Sequence, residues 1–221
     1  MKLKTLSLLA IILVQSNYMA QSSFASNQTT DKESYLAKSL EKAKGIKNES
    51  DLQNSINEIK RIELLDANYW LPSYYVSYME VKQSLYTSPD KKDALLADAK
   101  VRIDKLLDNP SVDKSELYTV LGYYYYAKIA QDPQTNGQLY YKSVITNYQK
   151  AISANPTNPR PYYLIHLFED KMNSFMGKKE SDLCEKLAKD KKLFEDFKVT
   201  DKNYPAWGEK EVITNLEKCT K

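Results

Sequence analysis

The stretch from Glu116 to Tyr163 constrains this chain more than any other. It reads ELYTVLGYYYYAKIAQDP, then a short polar break, then GQLYYKSVITNYQKAISANPTNPRPYY. Apolar residues recur at helical spacing on both sides of the break, so the stretch predicts two helices joined by a turn. Two helices alone cannot bury the apolar faces they carry. The hairpin must stack on others like it, which makes the chain an α-helical repeat array. The usual work of such an array is binding.

Punctuation along the chain agrees. One predicted helix runs through Leu52, Ile56, Ile59 and Ile62 and ends at Leu65-Asp66-Ala67-Asn68; Ser50 is its expected cap. A second, through Leu95, Ala99, Ile103 and Leu106, ends at Leu107-Asp108-Asn109-Pro110, and a third ends at Ile152-Ser153-Ala154-Asn155-Pro156. Similar stops at near-regular intervals are the mark of a solenoid. Between them, Trp70-Leu71-Pro72 and Asn158-Pro159-Arg160-Pro161 restart helices with proline in the first turn. Tyr35, Leu36, Leu40 and Ala43 form an earlier helical face closed by Gly45. The helix opened at Asn158 carries Tyr162, Ile165, His166 and Phe168 and ends at Gly177; a helix over 182–198 and a last segment through Ile213, Leu216 and Cys219 follow.

The N-terminus belongs to a different class of segment. Lys2 and Lys4 precede a nine-residue apolar run, Leu6–Val14, and then Tyr18-Met19-Ala20-Gln21. The run is too short to span a bilayer. The pattern is that of a secretory signal peptide over 1–20, cleaved after Ala20 or, alternatively, after Ala25; an uncleaved anchor is the competing reading. A polar leader over 21–31 and one helical domain over 32–221 follow. The mature chain is then periplasmic or secreted, with no membrane span.

Tyr118, Leu121, Gly122 and Tyr125, followed after an insertion by Val144, Tyr148, Ala151 and Pro156, resemble a tetratricopeptide repeat. The insertion, which holds Asp132-Pro133 and Gly137, requires either longer helices or a longer turn. The tail, with Asn158-Pro159-Arg160, Gly177-Lys178-Lys179, Pro205-Ala206-Trp207-Gly208-Glu209 and Cys219, is similar to a tetratricopeptide-like family of exported proteins from Bacteroidetes-type bacteria. That family supplies no activity to carry over. The resemblance implies an all-α right-handed α-solenoid of about four hairpins with a C-terminal capping helix.

Catalytic chemistry finds little support. His166 is the single histidine and there are two cysteines, so a zinc site built on several His or Cys ligands has no raw material. No glycine-rich phosphate loop or nucleophile elbow occurs, and the expectation is no enzyme, no metal and no cofactor. Removing Lys2 and Lys4 leaves 30 basic against 29 acidic residues, about +1, which gives no footprint for nucleic acid. Export carries Cys184 and Cys219 to an oxidising compartment. They sit at the start of one predicted helix and the end of the next, adjacent in an antiparallel hairpin, so a disulfide is expected; two buried thiols are the alternative.

Tyrosine is the outlier in composition, at 18 against five phenylalanines and two tryptophans. A phenol suits a position with one apolar wall and one wet edge. Thr119, Tyr123, Tyr126 and Ala130 form a stripe at i, i+4, i+7 and i+11. The tetratricopeptide resemblance places such stripes, from the first helix of each hairpin, on the concave groove. The same register offers Tyr75, Met79 and Lys82 on one side, and Arg160 and Tyr163 on the other. These residues are the candidate site for a protein or peptide partner, possible in an envelope complex. A glycan, bound by an accessory subunit of an envelope uptake system, is the alternative; in the competing reading the rings only pack the inside of a tight superhelix.

Overall fold

A computed structural model describes residues 31–178 and 181–219. The expected signal peptide and all but the last residue of the polar leader lie outside them. The described residues are all-α, with nine helices and no strand. The first, α1, covers 31–43. It is followed by α2 (Glu49–Glu63), α3 (Trp70–Ser84), α4 (Pro89–Leu107), α5 (Lys114–Gln131), α6 (Pro133–Ala154), α7 (Pro159–Phe175), α8 (Leu183–Asp196) and α9 (Glu209–Cys219). No helix among the described residues is long and apolar enough to cross a membrane.

Capping chemistry sets most of these boundaries. Asn48, not the expected Ser50, caps α2 by accepting the Asp51 amide: an asparagine two residues earlier reaches the free N–H groups that Ser50, already inside the helix, cannot. Asp113 and Asn158 cap α5 and α7 in the same way. The insertion in the central hairpin is taken up by longer helices. Asp132 alone joins α5 to α6, ending one and capping the other by accepting from the Thr135 amide, with Pro133 at the first helical position where no N–H is required. Gly122 lets α5 and α6 close on each other; a Cβ there would lie 2.6 Å from the Tyr148 ring.

The turns repeat more faithfully than the helices. Asp66, Asn109 and Asn155 each accept, through a side-chain oxygen, the amide two residues on, at 2.8, 2.8 and 3.1 Å. In each case the residue three positions on donates its amide to the same residue's carbonyl. Asp201 makes both bonds again with Asn203 and Tyr204. The sequence Asp-Ala-Asn-Tyr at 66–69 thus has a structural copy in Asp-Lys-Asn-Tyr at 201–204. Residues 197–208, between α8 and α9, are built as one more turn of the series.

Each helix from α2 onward packs on the next, and α3, α5 and α7 also lie side by side. Three buried apolar clusters carry the stability: Leu36, Ile59, Leu71, Ile103 and Leu117 among α1–α5; Val81, Leu96, Ala99 and Ala127 among α3–α5; and Val144, Tyr148, Phe168, Leu187 and Val212 among α5–α9. Cys184 and Cys219 are joined as a disulfide, Cα–Cα 5.9 Å, tying the end of α9 to the start of α8.

Candidate functional site

The three inner helices present matching stripes. They are Tyr75, Met79 and Lys82 on α3, continued by Tyr86 in the turn just past its end; Thr119, Tyr123, Tyr126 and Ala130 on α5; and Arg160, Tyr163, Leu167 and Lys171 on α7. Each follows one helical face, and each runs from a covered N-terminal end to an open C-terminal end.

The covered end is closed by the chain itself. Residues 197–208 cross α1, α3, α5 and α7. Asn203 donates from Nδ2 to the Glu33 carbonyl and the Tyr69 hydroxyl, and its own carbonyl accepts from the Tyr75 hydroxyl at 2.9 Å. The Tyr204 hydroxyl donates to Asp113. Trp207 donates from Nε1 to the Tyr74 hydroxyl at 2.9 Å and stacks on Tyr78 with centroids 4.3 Å apart. Beneath this strap lies an ion pair, Arg160 to Glu116 at 3.2 Å, whose side chains are 2% and 0% exposed. Glu116 also accepts from Tyr74 at 2.6 Å and from Asn158 at 2.8 Å. Arg160 Nε has no hydrogen-bond partner, but the guanidinium lies 5.4–5.9 Å from the rings of Phe197, Tyr204 and Trp207, where aromatic faces attract it. Burial pushes the Glu116 carboxyl up; Arg160, Tyr74 and Asn158 oppose that shift.

Helix α9 covers the middle of the stripes. Lys82 pairs with Glu211 at 3.1 Å, and Asn215 donates to the Tyr163 hydroxyl at 3.2 Å. Burial would raise the Glu211 carboxyl, but Lys82 outweighs it and holds the group below its ordinary value.

Of the eight residues expected to line a groove, five are buried: Tyr75, Met79, Thr119, Arg160 and Tyr163. Thr119 turns its hydroxyl back to the Ser115 carbonyl within its own helix. Where an open groove was expected, the chain's own residues 197–219 stand in the place of a ligand. A reading helix by helix has no means of seeing this, because the covering segment is remote in sequence.

Lys82, Tyr123 and Tyr126 remain partly exposed. Tyr123 and Tyr126 stack nearly parallel, 5° between planes and 6.2 Å between centroids. Lys171, not among the expected residues, donates to the Tyr126 hydroxyl at 2.7 Å and lies 5.4 Å from its ring. Tyr86, also missed, is 81% exposed at the far side. Both were within reach, since each extends its stripe to i+11. The open end is thus a platform of two partly exposed phenol faces with the Lys171 ammonium on Tyr126, while the Lys82 ammonium lies 5.7 Å from the centroid of the adjoining Tyr78 ring and is paired with Glu211. Burial pushes the Tyr123 phenol well above its ordinary value and that of Tyr163 up to about 12.

His166 faces away from the platform, bonding Asp190 on α8 through Nδ1 at 2.9 Å. Among the described residues no group of three or more His, Cys, Asp or Glu is placed to hold a metal ion.

No protein-family model matches the chain, and no curated protein does. Among solved structures, the fold is similar to that of the HusA haemophore from Porphyromonas gingivalis, with a TM-score of 0.72. The match covers 83% of this chain and 90% of that one at 20% identity.

Proposed function

We propose that this is a non-catalytic, exported binding protein whose cargo is a flat, apolar molecule with carboxylate groups, haem being the first such ligand to test. The observation that carries this reading is the stacked Tyr123–Tyr126 pair, with the Lys171 ammonium on Tyr126 and that of Lys82 on the adjoining Tyr78. Stacked phenols offer a broad π-face, and ammonium groups at the edges match carboxylates at the rim of a tetrapyrrole. The fold, shared with a protein that is by name a haemophore, supports the same cargo. With His166 held by Asp190 on α8, such a ligand is held by stacking and charge rather than by an imidazole.

The packing of each helix on the next, the side-by-side inner helices and the recurring turn support a tetratricopeptide-like right-handed α-solenoid, with α9 as its cap, spanning the mature domain 32–221. A peptide laid along the whole concave face, as the tyrosine stripe first indicated, would have to displace residues 197–208.

Haemin titration of the mature protein, followed at the Soret band, tests this reading. The expected result is saturable binding that falls roughly ten-fold or more in Tyr123→Ala/Tyr126→Ala, a loss of about 1.4 kcal/mol or greater. No Soret change removes haem, and a glycan screen on the same two proteins then tests a sugar on the same faces; equal affinity in the folded double variant removes the Tyr123–Tyr126 platform as the site.

A further inference from the structure

A stack of hairpins buries each unit on its neighbour, so the two end units need polar outer faces to stay in solution. The C-terminal end meets that requirement. Along α8 the pairs Lys189–Glu185, Lys191–Glu195 and Lys192–Asp196 run at i,i+4 and neutralise one another in solvent.

The N-terminal end does not. Between α1 and α2 lies an outward-facing groove of about 370 Å³ with Tyr35, Ile62 and Leu65 along it and Lys38, Lys42 and Arg61 at its edges. Leu65 is 59% exposed and its neighbour Leu64 is 85% exposed. The one acid in the groove, Glu58, is already held by Lys42 at 3.0 Å and by Ser39. Three cations against one acid leave an excess of two positive charges beside exposed leucines.

Shape and charge together define the occupant. Each later hairpin packs against a helix that precedes it, α3 against α2, α5 against α4 and α7 against α6. The outer trough of α1 and α2 has no such helix among the described residues. An amphipathic helix fits such a trough with its apolar residues inward, and carboxylates on its flanks would meet Lys38 and Arg61. Residues 1–30 of the chain contain no Asp or Glu, so they cannot supply that charge. A second copy docked face to face would set three cations against three. We propose that the α1–α2 face is a docking surface for an acidic amphipathic helix of a partner protein, which extends the stack by one layer and leaves the tyrosine platform free.

The test is site-specific photo-crosslinking. A photo-reactive amino acid replaces Leu65 in the full-length protein, which is irradiated in the envelope of the cells that export it, and the adduct is mapped by mass spectrometry. The expected product joins position 65 to a helical segment of another polypeptide bearing Asp or Glu beside apolar residues. In Lys38→Glu/Arg61→Glu the adduct falls by more than roughly ten-fold through like-charge repulsion, while circular dichroism and haemin titration are unchanged. The docking surface and the cargo site therefore stand or fall separately. An adduct to a second copy, to residues 21–30 of the same chain or to lipid overturns the proposal. So does the lack of any adduct, or one that survives charge reversal.

Discussion

The two ends of the inner stripes carry the same residue types in the same helical register and have opposite roles. At the covered end, Tyr74, Tyr75, Arg160 and Glu116 are locked under residues 197–208, with every phenol hydroxyl committed to a partner. At the open end, Tyr123, Tyr126, Lys82 and Lys171 keep part of their surface in water. Neither residue identity nor periodicity separates the two. What separates them is a turn-like strap from far along the chain, which converts one half of an aromatic surface into architecture. An aromatic stripe is therefore open to a ligand only over the length its own chain leaves uncovered.

The sharpest way to break this contrast is at Arg160. Removing the guanidinium leaves Glu116 buried beside no opposite charge, and breaking such a pair costs about 3–5 kcal/mol. Arg160→Ala is expected to lose that much in urea unfolding. A loss below ~1 kcal/mol would show that the covered end is not structural, since that is the range of exposed pairs. The disulfide comes next. Cys184 and Cys219 close a segment of sequence separation 35 that contains both strap and α9. Opening it is expected to cost roughly 3–4 kcal/mol and to speed trypsin cleavage after Lys198 and Lys202, both in or beside the strap. Unchanged cleavage on reduction would mean that the strap is held by its own contacts alone.

Much of the fold could be read from the residues because its signals are local. Helical periodicity through Leu95–Leu107 and Pro159 at a helix start each depend on neighbours within a turn or two. The cap of α2 was misplaced only because Asn48 and Ser50 are both competent caps and two residues apart. The site was less readable for a physical reason. Burial of Tyr75 or Tyr163 is decided by Asn203 and Asn215, more than fifty residues on in either case, and no pattern in α3 or α7 encodes it. Yet one clue was present: Asp201-Lys202-Asn203-Tyr204 repeats Asp66-Ala67-Asn68-Tyr69, a fourth copy of the turn that joins the earlier helices. Lys171 and Tyr86 were equally available as the i+11 members of stripes already recognised.

The boundary between the two ends is the Lys82–Glu211 pair, and it gives a smaller effect. Both side chains are about two-fifths exposed, at 41% and 40%, so Glu211→Gln is expected to cost no more than about 1 kcal/mol. Its pH signature is more telling. Glu211 is held below its ordinary 4.5, so the native state binds fewer protons there than the unfolded chain. Its contribution is complete above 4.5 and is lost as pH falls through the lower folded value. Thermal unfolding of wild type and Glu211→Gln should therefore converge in acid. A gap that stays constant with pH would mean that α9 is held by Asn215 and the disulfide instead. The same substitution frees Lys82, so haemin binding is expected to tighten.

The smallest effect on stability belongs to Lys171, and it isolates the open end. The side chain is exposed and rests on Tyr126, so Lys171→Met is expected to change unfolding by about 0.5 kcal/mol or less. The methionine preserves the apolar stem over the ring and removes only the charge. If Lys171 pairs with a carboxylate of the cargo, the variant should bind haemin more weakly at low salt and approach wild type as added salt screens the pair. Affinity that drops equally at every ionic strength would assign Lys171 to shaping the Tyr126 ring. Affinity that does not change would move the cargo off the platform altogether, and the open end would then be, like the covered one, a surface used for packing.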